Sequence, residues 1–280
     1  MTLALTVRQA LAQSGLVPLD AQVLLAHAID RDRAWIAAHA TDMLSREATE
    51  RFFALAKRRR AGEPVAYLIG EREFYGLAIR VTPDVLIPRP ETEALVDVAL
   101  RKLSVGRAAR VLDLGTGSGA IALALAHERP AIEVVGTEIS QAALDIASDN
   151  AARLGLANVS FLRSDWYSVL ETTGSSKFDL IVANPPYVAD ADPHLEEGDV
   201  RFEPPGALSS GVDGLAALRR IVAGAPSWLL PGGALAVEHG HDQAERVRAL
   251  FTAAGFVDTA SVRDLAGIPR VASGRIPGPT

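Results

Sequence analysis

The chain has 280 residues, 49% of them hydrophobic and 22% charged, with 23 glycines, 16 prolines and no cysteine. That apolar content excludes a disordered chain, and the missing cysteine excludes a disulfide scaffold, thiolate catalysis and a Cys-ligated metal. The charge is −6 overall and unevenly spread: residues 1–76 carry 10 Lys/Arg against 9 Asp/Glu, and residues 77–280 carry 18 against 25, the reverse of the basic excess that grips nucleic-acid phosphates.

In chain order, the first segment reads as short helices. Thr6 is placed to cap one through Val7, Ala10 and Leu11, ended by Ser14-Gly15. Pro18 and Asp20 open a second, with Val23, Leu24, Ala28 and Ile29 at helical spacing, and Trp35, Ile36 and Ala38 suggest a third. Ser45 caps a fourth, with Phe52, Phe53, Leu55 and Ala56 on its inner side, stopping near Gly62-Glu63-Pro64. Short helices with short connections predict a small antiparallel bundle. The run Lys57-Arg58-Arg59-Arg60 reads as a solvated helix end, where cations suit the dipole, or alternatively as a partner-docking patch.

The pattern changes near Tyr67. Residues 73–81 predict a hairpin around Gly76, and a Pro-rich stretch through Pro88 and Pro90 leads into a helix over 91–103. From residue 110 strands and helices alternate. Strands are predicted at 110–114, 132–137, 158–162, 178–183, 233–238 and 256–262, and helices at 119–127, 140–154, 214–229 and 241–254. This is the pattern of an α/β, Rossmann-like doubly wound sheet covered on both faces, behind a small N-terminal helical bundle. The expected division is 1–66 as a helical domain, 67–90 as hairpin and Pro-rich linker, and 91–280 as the larger domain.

The six histidines lack HExxH or comparable spacing, so no metal is expected. The N-terminus shows no basic-then-apolar leader and no apolar run is long enough to span a bilayer, so a cytoplasmic protein without a membrane partner is expected.

The first motif is Asp113-Leu114-Gly115-Thr116-Gly117-Ser118-Gly119, a strand running into a Gly-rich turn and then a helix. Such a turn lets a ligand approach the backbone, though it also serves as a tight connection with no ligand. The spacing is GxGxG, neither the GxGxxG dinucleotide fingerprint nor a P-loop. Asp113 would repel phosphate and suits a cationic ligand. Glu138 ends the second strand of the sheet, where a carboxylate can accept from ribose hydroxyls. Together these suggest a nucleoside without phosphates, for which S-adenosylmethionine fits. Asp165 and Trp166 follow the third strand, where an acid can bind an adenine amino group and an aromatic can cover the ring; a core Trp beside a surface Asp is the alternative.

Asn184-Pro185-Pro186-Tyr187 follows the fourth strand, at the edge where such sheets bind ligands. The prolines stiffen the loop. The Asn184 side-chain oxygen and Pro185 carbonyl could accept both hydrogens of a planar –NH2 group, and Tyr187 could offer a face for stacking. A rigid turn with a buried Tyr is the bland alternative.

The chain also resembles the HemK/PrmC family of protein-(glutamine-N5) methyltransferases. The segments FYGLAIRVTPDVLIPRPETE, VLDLGTGSG, SDWYSVL, NPPYVADADPHLEEGDVRFEPPGAL, LAVEHG and VRDLAGIPRVASGR carry the resemblance, most strongly over 74–208. It implies the class I S-adenosylmethionine-dependent methyltransferase fold, with S-adenosylhomocysteine as by-product. It implies as substrate the GGQ glutamine of class-1 peptide chain release factors, and hence a role in translation termination. The 115–119 turn would hold the methionine part of the cofactor, Glu138 the ribose, and Asp165 and Trp166 the adenine. Family members often have Asp where Glu138 stands. Asn184, Pro185, Pro186 and Tyr187 would hold the glutamine, with Asn184, Pro185 and Tyr187 carrying catalysis and Asn184 also bordering the cofactor. Phe74, Arg89 and Glu91 lie in family motifs that help enclose the site. The helical domain would dock the protein substrate, and the enzyme is expected to be a monomer that does not bind nucleic acid directly. The rival is a DNA or RNA amino-methyltransferase, disfavoured by the acidic catalytic part and the lack of a target-recognition insertion.

Overall fold

The computed structural model of the chain describes residues 5–173 and 176–278. The chain divides into two compact units, Met1–Glu71 with Glu197–Phe202, and Arg72–Glu196 with Glu203–Thr280. Apart from Glu71, the hairpin and the Pro-rich stretch belong to the second.

The first unit is helical. Helix α1 (Val7–Gln13) begins in a capping box, Thr6 and Gln9 each satisfying the other's backbone N–H. Helix α2 (Pro18–Ile29) opens on a proline, where no N–H is missed, and α3 (Arg33–Ala38) on Asp32. Ser45 caps α4 (Arg46–Arg60). A further helix, α5 (Val65–Ile69), was not foreseen: five residues are too few for apolar periodicity to register. Leu24, Leu25, Ile36, Phe52 and Leu68 lie in the unit's core. Arg58 pairs with Glu63 at 2.5 Å, Arg59 with Asp20 at 2.7 Å and Asp199 at 2.6 Å, and Arg60 donates to the Ser14 carbonyl. Three cations of the basic run are thus engaged within the unit, at the helix end that favours them.

The second unit starts with the hairpin of β1 (Glu71–Phe74) and β2 (Leu77–Arg80). Tyr75 and Gly76 at its tip both have positive φ, +51° and +76°, the conformation that matches strand twist in two-residue hairpins. The tip is tied to α6 (Glu93–Lys102): the Tyr75 N–H donates to Glu93 at 3.0 Å and its hydroxyl to Asp97 at 2.8 Å. There follow β3 (Arg110–Leu114), α7 (Ala120–Glu128), β4 (Glu133–Glu138), α8 (Gln141–Leu154), β5 (Val159–Arg163), α9 (Ser168–Thr173) and β6 (Phe178–Ala183). Then come α10 (Ala216–Trp228), β7 (Leu229–Glu238), α11 (Ala244–Ala253), β8 (Val257–Arg263) and β9 (Pro269–Arg275). Helix α7 is apolar on every side and buried from Ala120 to Ala126.

The seven strands of the main sheet run in the order β5-β4-β3-β6-β7-β9-β8. The β5 to β7 part is parallel, whereas β9 pairs antiparallel with both β7 and β8. The doubly wound expectation holds, with β9 as a correction. Its sequence PRVASGR has weak strand propensity, yet Val271 to Gly274 are buried because the strand is inserted between two others. Strand β7 also begins at Leu229, four residues before the predicted start, across a register shift opposite β6. The winding sends β4 and β5 to one side of β3 and β6 and β7 to the other. The crevice where strand order reverses therefore lies at the carboxyl ends of β3 and β6. Among the described residues no helix is long and apolar enough to cross a membrane.

Candidate functional site

The turn after β3 requires its glycines. Gly115, Gly117 and Gly119 have φ of +72°, +54° and +85°, and a Cβ on Gly115 would lie 3.2 Å from the Trp166 ring. The turn is tied to β4: the N–H groups of Gly115 and Thr116 donate to the Thr137 carbonyl at 2.8 and 3.0 Å. Glu138, ending β4, accepts from the Gly117 N–H at 3.1 Å through Oε2, and from the N–H groups of Ile139 and Ser140 at 2.8 and 3.1 Å through Oε1.

Asp113, which the sequence suggests for a cationic ligand, has no exposed surface. It is fully buried at the end of β3, where the Thr116 hydroxyl donates to Oδ2 at 2.6 Å, and its Oδ1 has no hydrogen-bond partner. Burial, with the Glu138 charge as a smaller addition, pushes its pKa up to about 7. Its carboxyl braces the turn from within. Thr116 and Ser118 are likewise buried, and the Ser118 carbonyl accepts from Asn150 at 2.9 Å.

Above the turn lies a cavity of about 450 Å³. Gly115, Gly117 and Glu138 form one side, with Ser164, Asp165 and Trp166 after β5 and Asn184, Pro185 and Pro186 after β6. Residues 84–86 and Pro204, Gly206 and Ala207 complete it. Trp166 adopts φ +53°, unusual for a bulky residue, and the Ser164 hydroxyl donates to its carbonyl at 2.9 Å. Asp165 pairs with Arg220 on α10 at 2.8 Å. Ile139 also lines the cavity while 61% exposed; the sequence reading missed it, although an apolar residue directly after a strand-ending acid is a usable signal.

Asn184 and Tyr187 diverge. The Asn184 Nδ2 donates to the Thr92 hydroxyl at 3.2 Å, so its Oδ1 is not spent on that contact. Tyr187 is outside the cavity lining: its hydroxyl donates to Glu238 Oε1 at 3.1 Å and its carbonyl accepts from Gln243 at 2.9 Å. Its hydroxyl and its carbonyl thus anchor it on the side of β7 and the segment before α11. Burial, then the neighbouring Glu238 charge, raises the Tyr187 pKa. Glu238 itself, fully buried at the end of β7, is pushed up to about 7 by burial, against the pull of Thr92 and Tyr187. The sequence reading passed over it, though an apolar strand ending in an acid at the ligand edge marks it.

Phe74, Arg89 and Glu91 do not line this cavity. Phe74 is buried in the hairpin, and Arg89 donates to Glu203 at 2.5 Å. Glu91 borders a separate cavity of about 330 Å³ flanked by α6 and the β8–β9 turn. Glu203, a third residue missed, also accepts from the Ile87 N–H at 3.3 Å. It thereby staples the 84–89 segment to the 203–207 segment, two walls of the larger cavity.

Comparison with known proteins places this arrangement. The methyltransferase domain family matches residues 106–262, and the PrmC N-terminal domain family matches residues 5–70. The release factor glutamine methyltransferase of Xylella fastidiosa (strain 9a5c) is 54% identical over 260 residues, 93% of this chain and 94% of its own length. The protein of the same name from Burkholderia pseudomallei (strain K96243) is 52% identical over 279 residues, 98% of this chain and 97% of its own. A methyltransferase from Pyrococcus furiosus, known from its crystal structure, has the same fold at 19% identity, with a TM-score of 0.54 over 80% of this chain and 98% of its own.

Proposed function

The chain belongs to the release factor glutamine methyltransferase family, and on that premise we propose that it methylates the side-chain amide nitrogen (N5) of the GGQ glutamine of class-1 peptide chain release factors in the cytoplasm, with S-adenosylmethionine as donor. The observation that carries this reading is that Asn184 and Pro185 line the same cavity as Gly115, Gly117 and Glu138.

The residues present fit the donor. The cavity volume lies in the roughly 300–1,000 Å³ range of small-molecule sites. A Cβ at Gly117 would meet nothing within 4 Å, so a ligand can approach that backbone. Of the roughly four acceptor positions of a carboxylate, Glu138 uses two on Oε1 and one on Oε2, which leaves room on Oε2 for a ribose hydroxyl. Ile139 and Trp166 would cover the adenine, with Asp165 at its edge, and the turn at Gly115 and Gly117 would take the methionine part. When bound, S-adenosylmethionine supplies a methyl group activated by its sulfonium.

A carboxamide nitrogen is a poor nucleophile because its lone pair is delocalised into the carbonyl. Asn184 Oδ1 and the Pro185 carbonyl would accept its two hydrogens and aim the nitrogen at the methyl carbon. Both acceptors bind more strongly as positive charge grows on that nitrogen, which is stabilisation specific to the transition state. The proton is then lost readily to water, so no dedicated base is assigned. One glutamine side chain supplies far less than the roughly 1,200–2,000 Å² of a specific protein interface, so the helical unit is assigned the docking of the release factor.

The test is incubation with methyl-labelled S-adenosylmethionine and either intact release factor or DNA and RNA, followed by mapping of the label. Label on the GGQ glutamine is expected; label on nucleic-acid amines would overturn the reading.

A further inference from the structure

The loop that carries Asn184 and Pro185 is pinned at its far end through a backbone carbonyl. Gln243, buried just before α11, donates from Nε2 to the Tyr187 carbonyl at 2.9 Å. Its Oε1 accepts from the Gly240 N–H at 2.9 Å, and its own backbone N–H donates to the Gly240 carbonyl at 3.0 Å. Beside this contact stands Gly214 at φ +71°, where a Cβ would lie 2.3 Å from the Tyr187 oxygen and 2.9 Å from Gln243 Nε2. Only a residue without a side chain leaves room for the two to meet. One residue further on, the Val188 N–H donates to the Leu208 carbonyl at 3.0 Å and the Val188 carbonyl accepts from the Ser210 N–H at 2.9 Å.

The chemistry of the two partners fixes the orientation of the Gln243 amide. A backbone N–H only donates and a backbone carbonyl only accepts. Gly240 must therefore take Oε1 and Tyr187 must take Nε2; turned over, the amide would lose both bonds. It spans the turn after β7 and the end of the loop after β6 at one set distance. Inside that loop, the rings of Pro185 and Pro186 hold φ at about −65°. With those two torsions removed and Asn184 following directly on β6, the direction of the Pro185 carbonyl depends on where the Tyr187 end is held. Gln243 does not line the cavity, so its effect on a bound substrate passes through the loop.

We propose that Gln243 is a positioning residue for methyl transfer: by holding the Tyr187 carbonyl it aims the Pro185 carbonyl at the substrate nitrogen, and Gly214 permits that contact by having no side chain. This rests on the reading of Pro185 as an acceptor for the substrate amide.

The experiment measures kcat on intact release factor per cofactor-binding site, with the concentration of sites taken from calorimetric titration of the full-length enzyme with S-adenosylmethionine. A variant that is merely less folded then keeps the wild-type rate per site. Gln243→Met keeps the length of the side chain and loses both polar contacts, and kcat should fall roughly 10–100-fold, the scale of a misplacement of about 1 Å. Gly214→Ala, which drives the same carbonyl away, should fall as far. In the double variant the two losses should overlap rather than multiply, since both act on one carbonyl. Cofactor affinity and the KM for release factor should stay within about threefold of wild type in each. Val247→Ala, which hollows the core one turn into α11, should lower the melting temperature and leave kcat per site unchanged. Full kcat per site in Gln243→Met, multiplied losses in the double variant, or a loss lying in cofactor affinity would each overturn the proposal, as would an equal loss in Val247→Ala. If Gln243→Met or Gly214→Ala does not fold, Gln243→Asn, one methylene too short to reach both partners, decides by the same limits. Label found only on nucleic acid refutes the functional reading instead, and rates per site on that nucleic acid then judge Gln243 by the same limits.

Discussion

Replacing Arg89 with Ala probes a contact that joins two distant stretches of chain. Its guanidinium donates to Glu203 at 2.5 Å; the Glu203 side chain is fully buried, while Arg89 is 27% exposed. At an effective dielectric of about 20, unit charges about 3–4 Å apart attract by roughly 4–5 kcal/mol. Removing one partner of a buried pair typically costs about 3–5 kcal/mol, because the other charge stays in a poor solvent. Arg89 is partly solvated and water can follow its removal, so the expected loss is roughly 2–3 kcal/mol. For a unit of this size that lowers the melting temperature by roughly 4–7 °C. The functional consequence follows from position: Val85 and Leu86 on one side of the pair, and Pro204, Gly206 and Ala207 on the other, line the same cavity. Affinity for S-adenosylmethionine, measured by calorimetric titration, should therefore weaken alongside stability. Glu203→Gln in the Arg89→Ala background should recover part of the loss, since the uncompensated charge is then gone. A melting temperature within about 1 °C of wild type, or strictly additive effects in the double variant, would refute the reasoning.

Further outcomes are expected. Asn184→Ala should lower kcat roughly 100-fold, the scale of one lost transition-state hydrogen bond, with cofactor affinity within a few-fold; near-normal turnover would remove Asn184 from catalysis. Burial holds Asp113 and Glu238 protonated up to about pH 7, against ordinary values of 3.8 and 4.5. The native state then binds more protons than the unfolded chain between about pH 4 and 7, so each group lowers stability as pH rises through that window, by on the order of 1.4 kcal/mol per pH unit. Glu238→Gln should flatten this fall in melting curves taken from pH 5 to 7.5. His239, held below its usual pKa by burial, works in the opposite direction, and so the comparison between variant and wild type is the measurement. Deleting residues 1–71 should impair methylation of intact release factor while sparing a free GGQ peptide; equal activity on intact factor would remove the docking role from the helical unit.

What the amino-acid sequence by itself determined is what neighbouring residues determine. Thr6, Asp32, Ser45 and Ser140 cap their helices because a side-chain oxygen three residues upstream of an N–H is a local geometry. The turn at Gly115, Gly117 and Gly119 follows from backbone conformations that a Cβ resists. Apolar runs alternating with amphipathic ones disclosed the α/β class, and Glu138 and Asn184 could be assigned to the ligand edge because parallel strands put their carboxyl ends together.

Tertiary structure alone decided where side chains turn and which distant partners they meet. Strand β9 is a strand because β7 and β8 flank it, not because PRVASGR prefers to be extended. Asp113 is fully buried at its turn, where the Thr116 hydroxyl gives it a partner. Tyr187 turns from the cavity to Glu238, 51 residues away, and Arg89 finds Glu203 across 114. Periodicity and spacing carry no record of such pairings. A buried polar group must find its partner wherever the fold brings one within hydrogen-bonding distance, and that is settled only when the whole chain has packed.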